Sequence, residues 1–176
     1  MTLVAIRHLP TPWNEAGLLQ GRADIPITPL DREQKERIQK NRRRLDRLGI
    51  FDVVVCSTLR RTRQTAVAYW YRRPMREKLL DEFHFGRYEG RPKTDVLAEM
   101  GNAWRNCPEA VELGETIRDL EARVRRFIAT YQRYDQVLLF AHGCWLRSLK
   151  SIHDTGNVRG MNRIIIKNNQ ILTLHF

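Results

Sequence analysis

The sequence predicts an α/β domain, a three-layer sandwich whose mostly parallel sheet has helices on both faces and one antiparallel edge. Three observations carry this expectation. The runs LVAI at 3–6, VVVC at 53–56 and VLLFA at 137–141 read as strands buried on both faces, as in a parallel sheet covered by helices. Longer stretches with helical periodicity alternate with them. The 176 residues, 42% hydrophobic and 29% charged, suit one packed domain. No linker, repeat or low-complexity tract interrupts the chain, so residues 1–176 are expected to form a single domain.

Each element has its own signal. After the first strand, a charged stretch from Asp31 to Leu48 carries Ile38, Leu45 and Leu48 as a sparse apolar stripe. Pro29 suits the first turn of that helix, and Gly49 supplies its stop. VVVC leads into a helix over 61–72. Residues 83–114 are irregular and rich in Gly and Pro, with a helical patch near 95–104, and are expected to form a lid or substrate-facing insert. The clearest helix is 116–131. Thr116 and Asp119 resemble a capping box, and Ile117, Leu120, Val124, Phe127, Ile128 and Tyr131 share one face. VLLFA follows, then a short helix over 144–152. RIIIK at 163–167 and QILTLHF at 170–176 predict a terminal hairpin with Asn168-Asn169 at its turn.

Several classes are excluded. The longest apolar runs are far shorter than the roughly 20 residues that span a bilayer, so no membrane partner is expected. The N-terminus lacks a basic region ahead of its apolar stretch, which carries Arg7, so no secretory signal is expected. Cys56, Cys107 and Cys144 are odd in number, far apart and in no CxxC, which predicts three buried or half-buried thiols in a reducing cytoplasm. The net charge of +11 favours anionic partners: phosphorylated metabolites, acidic proteins or nucleic acid.

Ligands of open α/β sheets gather at the carboxyl ends of the strands. The first strand ends in Arg7-His8, with Thr11 and Asn14 close behind. The second leads into Ser57-Thr58-Leu59-Arg60-Arg61, and the third into His142-Gly143 at a helix start. This set suits a phosphoryl group. Arginine matches phosphate oxygens bidentately and stays charged. A neutral histidine can attack phosphorus, and nearby arginines favour that neutral form. A second histidine can donate to equatorial oxygens, and the helix start adds backbone N–H groups. No Walker glycine loop, carboxylate-rich cluster or HExxH accompanies the set, so neither metal nor cofactor is expected.

These residues closely resemble the signatures of the histidine phosphatase superfamily, also called phosphoglycerate-mutase-like. The family's Arg-His-Gly-x-Thr with a following Asn and Gln-Gly looks like RHLPTPWNEAGLLQGRADIPIT at 7–28. Its Ser-x-Leu-x-Arg-Ala-x-x-Thr-Ala resembles STLRRTRQTA at 57–66, which puts the family arginine on Arg61. DEFHFGRYEG at 81–90 is similar to the acid-bearing block, Gly114-Glu115-Thr116 to Gly-Glu-Ser, and FAHG at 140–143 to the last signature. The five blocks run in order over essentially the whole chain. The resemblance implies His8 as nucleophile through a phosphohistidine. It implies Arg7, Arg61 and His142 as phosphoryl ligands, with Asn14 and the Gly143 backbone assisting. Glu82 would be the acid and then the base. A small phosphorylated metabolite would be the substrate of this metal-independent phosphomonoesterase.

Two stretches depart from the pattern. Leu9-Pro10 replaces the family glycine, and a leucine there is expected to crowd or wall the pocket mouth. Ile27-Thr28-Pro29-Leu30-Asp31 replaces Leu-Thr-x-x-Gly and affects only the next helix start. The family's cofactor-dependent mutases are longer, with an added insertion and tail, whereas the small α-ribazole phosphatases resemble this chain in length; hydrolysis is therefore expected over a mutase reaction. A non-catalytic phosphate-binding protein would not need Glu82, and Leu9 is the feature that favours it. The basic run Lys40-Asn41-Arg42-Arg43-Arg44 is interleaved with Glu33, Glu36 and Asp46 and lacks an aromatic platform, so it reads as a solvated helix face rather than a nucleic-acid site. Arg87 and Glu89 read as surface charges or substrate contacts. His84, His153 and His175 read as structural, and Trp13, Trp70, Trp104 and Trp145 mostly as core or pocket lining. Oligomeric state, monomer or homodimer, is left open.

Overall fold

The computed structural model describes residues 1–111 and 113–176. The chain runs β1 (Thr2–Arg7), α1 (Pro12–Glu15), α2 (Arg32–Leu48), β2 (Val53–Cys56), α3 (Arg60–Ala68) and β3 (Met75–Arg76). It continues through α4 (Lys93–Met100), α5 (Ala103–Asn106), α6 (Ile117–Tyr131), β4 (Gln136–Ala141), α7 (Gly143–Thr155) and β5 (Ile171–His175). The sheet order is β3-β2-β4-β1-β5. Three pairings are parallel, and β5 closes the β1 edge in antiparallel sense. The sandwich with its antiparallel edge is therefore as the sequence predicts.

Alternation along the strands feeds two cores. Leu3, Ala5, Val137, Leu139 and Ala141 pack with Ile117, Leu120, Val124 and Phe127 of α6 and Trp145 and Leu149 of α7. Val4, Ile6, Leu138 and Phe140 pack on the other side, with Ile38 and Leu45 of α2 and Ala66 and Tyr69 around α3. With both faces covered, the strands read as continuous apolar runs. α6 starts with the predicted capping box: Thr116 Oγ1 accepts from the Asp119 amide at 3.1 Å and donates to the Asp119 carboxylate at 2.7 Å.

Register positions the site. Arg7 lies opposite Ala141 and Cys56 opposite Phe140, so His8, His142 and Ser57 all follow at one end of adjacent parallel strands. The His8 amide donates to the Ala141 carbonyl at 3.0 Å, extending the ladder past the strand.

Several expectations are corrected. The 61–72 helix ends at Ala68, because Trp70 turns the chain at φ +66°. The 95–104 patch splits into α4 and α5 at Gly101, whose φ is +55°. α7 runs beyond 144–152 to a left-handed Gly156. Pro29 lies ahead of α2, whose N-cap is Asp31. Leu48 is at the exposed helix end and leaves the stripe to Ile38 and Leu45. The terminal hairpin does not form, since β5 pairs with β1 and residues 164–167 make no strand. The Ile166 carbonyl instead accepts from Arg7 Nη1. Cys107 is exposed, while Cys56 and Cys144 are buried. Trp70 is 55% exposed with the Arg42 guanidinium 4.1 Å from its ring centroid, so it belongs to neither core nor pocket. Lys40, Arg43 and Arg44 are exposed on α2. No described helix is long and apolar enough to cross a membrane.

Candidate active site

His8 sits one residue past β1, buried to 2% exposure. Its Nδ1 is 2.7 Å from the Leu9 carbonyl, which can only accept. The ring proton is therefore on Nδ1, and Nε2 keeps its lone pair. Burial, then Arg61 and Arg7, hold this imidazole well below the usual histidine range, so it is neutral at physiological pH.

His142, in contact with His8 at 5.3 Å between ring centroids, is fully buried. Arg61 Nε donates to its Nδ1 at 3.1 Å, which fixes the other proton on Nε2. Nε2 donates to Ser57 Oγ at 2.7 Å, Ser57 donates to Thr62 Oγ1 at 2.8 Å, and Thr62 donates to the Leu59 carbonyl at 2.8 Å. Burial, then Arg61 and His8, push the His142 pKa well below its ordinary value. Both nitrogens are engaged, and the ring does not line the cavity. His142 thus stands beside His8, with Nδ1 bonded to Arg61 and Nε2 to Ser57.

Arg61 is the second residue of α3 and is wholly buried. Its Nη1 and Nη2 donate to the Ala23 and Gly21 carbonyls, each at 2.7 Å, and burial brings its pKa down to about 10 while Glu82 opposes that shift. It remains a cation at neutral pH. Arg7 has Nε buried without an acceptor. A Cβ on Gly143 would lie 3.4 Å from Arg7 Cζ, in van der Waals contact with this guanidinium.

Glu82 accepts from the Phe83 amide at 2.9 Å and from the Trp145 and Cys144 amides at 3.1 Å. The first-turn amides of α7 that suggested a phosphoryl cradle thus hold this carboxylate. Asn14 follows its Thr11 cap, and its Oδ1 accepts from the Thr11 amide and from Asn168 Nδ2, each at 3.2 Å. Its remaining offer to the cavity is the Nδ2 amide.

A second layer holds these groups. Glu89 accepts from the Arg22 and Ala23 amides at 3.0 Å and from Phe85 at 3.1 Å, so it is an internal staple and neither a surface charge nor a substrate contact. Gly21, at φ +53°, is obligatory beside it: a Cβ would lie 2.1 Å from Glu89 Oε1. Arg123 donates to Glu115 at 2.7 Å and to the Leu79 and Asp81 carbonyls at 2.9 and 2.8 Å, clamping the backbone before Glu82.

Arg7, His8, Asn14, Arg61, Glu82 and Gly143 line one cavity of about 240 Å³. Gln20, Lys93 and Arg147 line it too, residues that sequence reasoning missed. Lys93 and Arg147 each follow a motif by a few positions, at GRPK and HGCWLR, which was the available signal. The 83–114 segment supplies Phe85, Lys93, Val96, Leu97, Met100 and Trp104 to the wall; residue 112 of that segment lies outside the described residues. Leu9 is not at the mouth. It is fully buried with Ile6, Ile38 and Leu45 on the α2 side, its amide donating to Thr65 Oγ1 at 2.9 Å. The support it gave to a pocket closed to chemistry is gone.

Comparison with known proteins places the chain among histidine phosphatases. A family model described as the histidine phosphatase superfamily (branch 1) matches residues 3–176. The adenosylcobalamin/alpha-ribazole phosphatase of Escherichia coli is 33% identical over 153 residues, covering 81% of this chain and 73% of that protein. A 2,3-bisphosphoglycerate-dependent phosphoglycerate mutase of Rhizobium meliloti is 32% identical over 170 residues, covering 87% and 79%. The crystal structure of the alpha-ribazole phosphatase from Shigella flexneri superposes with a TM-score of 0.79 at 29% identity, covering 98% of this chain and 89% of that one.

Proposed function

The chain belongs to branch 1 of the histidine phosphatase superfamily, and from that premise we propose that it hydrolyses a small phosphomonoester, without metal or cofactor, through a phosphohistidine. One observation carries this reading. His8 is buried and neutral, and its Nδ1 proton is committed to the Leu9 carbonyl. Nε2 keeps its lone pair, and His8 lines a cavity that also holds Arg7 and Arg61.

In the first step His8 Nε2 attacks phosphorus, and the ester oxygen leaves with a proton from Glu82. Water then attacks the phosphohistidine, Glu82 takes its proton, and inorganic phosphate departs as His8 is restored. Arg7 and Arg61 carry the phosphoryl charge with the Asn14 amide, and preorganised cations of this kind stabilise charge as it builds. Gly143 assists through its own backbone, while His142 positions Arg61. The 83–114 segment faces the alcohol half of the substrate within the same single domain. A cytoplasmic location is part of the same reading.

The test is phosphate release from a panel of phosphomonoesters in chelator, with a phosphoglycerate included to separate hydrolysis from isomerisation. Turnover that survives chelator and is lost in His8→Ala is expected, with an acid-labile phosphoenzyme trapped in rapid quench. Activity retained in His8→Ala would overturn the mechanism. Isomerisation exceeding phosphate release would move the protein to the mutases.

A further inference from the structure

The cavity holds more positive charge than one phosphoryl group needs. Four cations line it, Arg7, Arg61, Lys93 and Arg147, against one carboxylate among the described lining residues, Glu82. Neither Lys93 nor Arg147 forms an ion pair within the described residues. The Arg147 Nε is buried with no acceptor, and Nη2 finds only the Cys144 sulfur at 2.8 Å. Burial, then Arg7, lowers the Lys93 pKa, with Arg147 adding to the repulsion. Cations crowded together, with the Nε of both Arg7 and Arg147 buried and without an acceptor, mark a site suited to anions. A phosphomonoester dianion satisfies two of the four charges. The Glu82 carboxylate answers a third, and one remains.

Much of the rest of the wall is apolar, and part of it is left uncovered. Leu97 on α4 is 48% exposed and Ile165 in the 164–167 segment is 81% exposed, both lining this cavity, with Val96, Met100 and Trp104 deeper. Such surface at a pocket mouth is suited to an apolar body that buries it on binding.

We infer that the substrate is a phosphomonoester whose alcohol carries a second anionic group on an apolar body, the second anion held by Lys93 and Arg147. The inference rests on the phosphomonoesterase reading and names its substrate class. The second anion is of carboxylate or phosphoryl type, which the same cations recognise.

The experiment compares kcat/KM for benzyl phosphate with its para-carboxy, para-phosphonomethyl and para-trimethylammonio derivatives, in which the methylene insulates the leaving oxygen from the added charge. The anionic esters are expected to lead benzyl phosphate by about tenfold or more, with the cationic ester last. The lead should shrink in raised salt, and Arg147→Gln and Lys93→Gln should each bring the anionic-to-neutral ratio towards one. The better of the two anionic arms identifies the second group. Equal rates across the four esters, or preference for the cationic one, would overturn the inference while leaving phosphatase activity standing. The wild-type comparison decides without any variant. If no ester is turned over, the phosphatase reading falls. Calorimetry with benzylphosphonate and its para-carboxy analogue then decides this inference separately: tighter binding of the carboxylate sustains it, and equal binding overturns it.

Discussion

The role proposed for His8 depends on one carbonyl. Because the Leu9 oxygen can only accept, the imidazole proton is pinned on Nδ1 and Nε2, the proposed nucleophile, keeps its lone pair. His8→Ala should lower kcat/KM by at least about 10³-fold, since the covalent route is lost. Glu82→Gln should cost about 10²–10⁴-fold on an alkyl phosphate and distinctly less on a nitrophenyl phosphate, whose leaving oxygen needs no proton. Steady-state rates on the two esters check this. His8 and His142 are both held well below the usual histidine range in the fold, while in the unfolded chain each titrates near 6.5. Below that pH the unfolded state binds protons that the native state refuses. Stability is therefore full above about pH 6.5 and falls as pH drops, by up to about 1.4 kcal/mol per pH unit for each histidine. Urea midpoints measured between neutral and mildly acid pH test the sign: a midpoint that rises on acidification would contradict it.

At the scale of elements, the site is built where helices begin. α7 starts at Gly143, where a Cβ would come into contact with the Arg7 guanidinium. Gly143→Ala should keep the fold, raise KM for phosphoesters and leave the thermal midpoint near that of the parent. The loop around Gly21 depends on Glu89, which gathers three amides from two segments. Gly21→Ala places a methyl at φ +53° against that carboxylate and should destabilise by more than about 1 kcal/mol, read as a lower urea midpoint. The α6 capping box is simpler. Thr116→Ala should cost about 1 kcal/mol, with catalysis unaffected.

At the scale of the molecule, Leu9 shows how fold and site share one backbone. Its carbonyl serves His8 on the cavity side while its side chain fills the core between sheet and α2. Leu9→Ala should cost about 2–5 kcal/mol through the space left behind, seen as a lower melting temperature. A variant with parental stability would show that the core closes over the gap. The surplus cations of the cavity likewise belong to this scale, because α4 and α7 bring Lys93 and Arg147 together from positions 54 residues apart in sequence.

What the sequence determined by itself were the features written in local pattern. Doubly buried strands show as continuous apolar runs, α6 as a periodic face with its cap, and Arg7, His8, Arg61, Glu82 and His142 as members of short motifs. Tertiary structure decided the rest, because those outcomes depend on partners distant in the chain. Whether RIIIK becomes a strand was settled by β5, which occupies the free edge of β1, and by Arg7, which takes the Ile166 carbonyl. The burial of Leu9 needed α2, and the proton on His142 needed Arg61. Glu89 became a staple only when the 20–24 loop was laid against it. Lys93 and Arg147 carry no periodic signal and only follow motifs by a few positions; they join the site because the fold brings them to one cavity with Arg7 and Arg61.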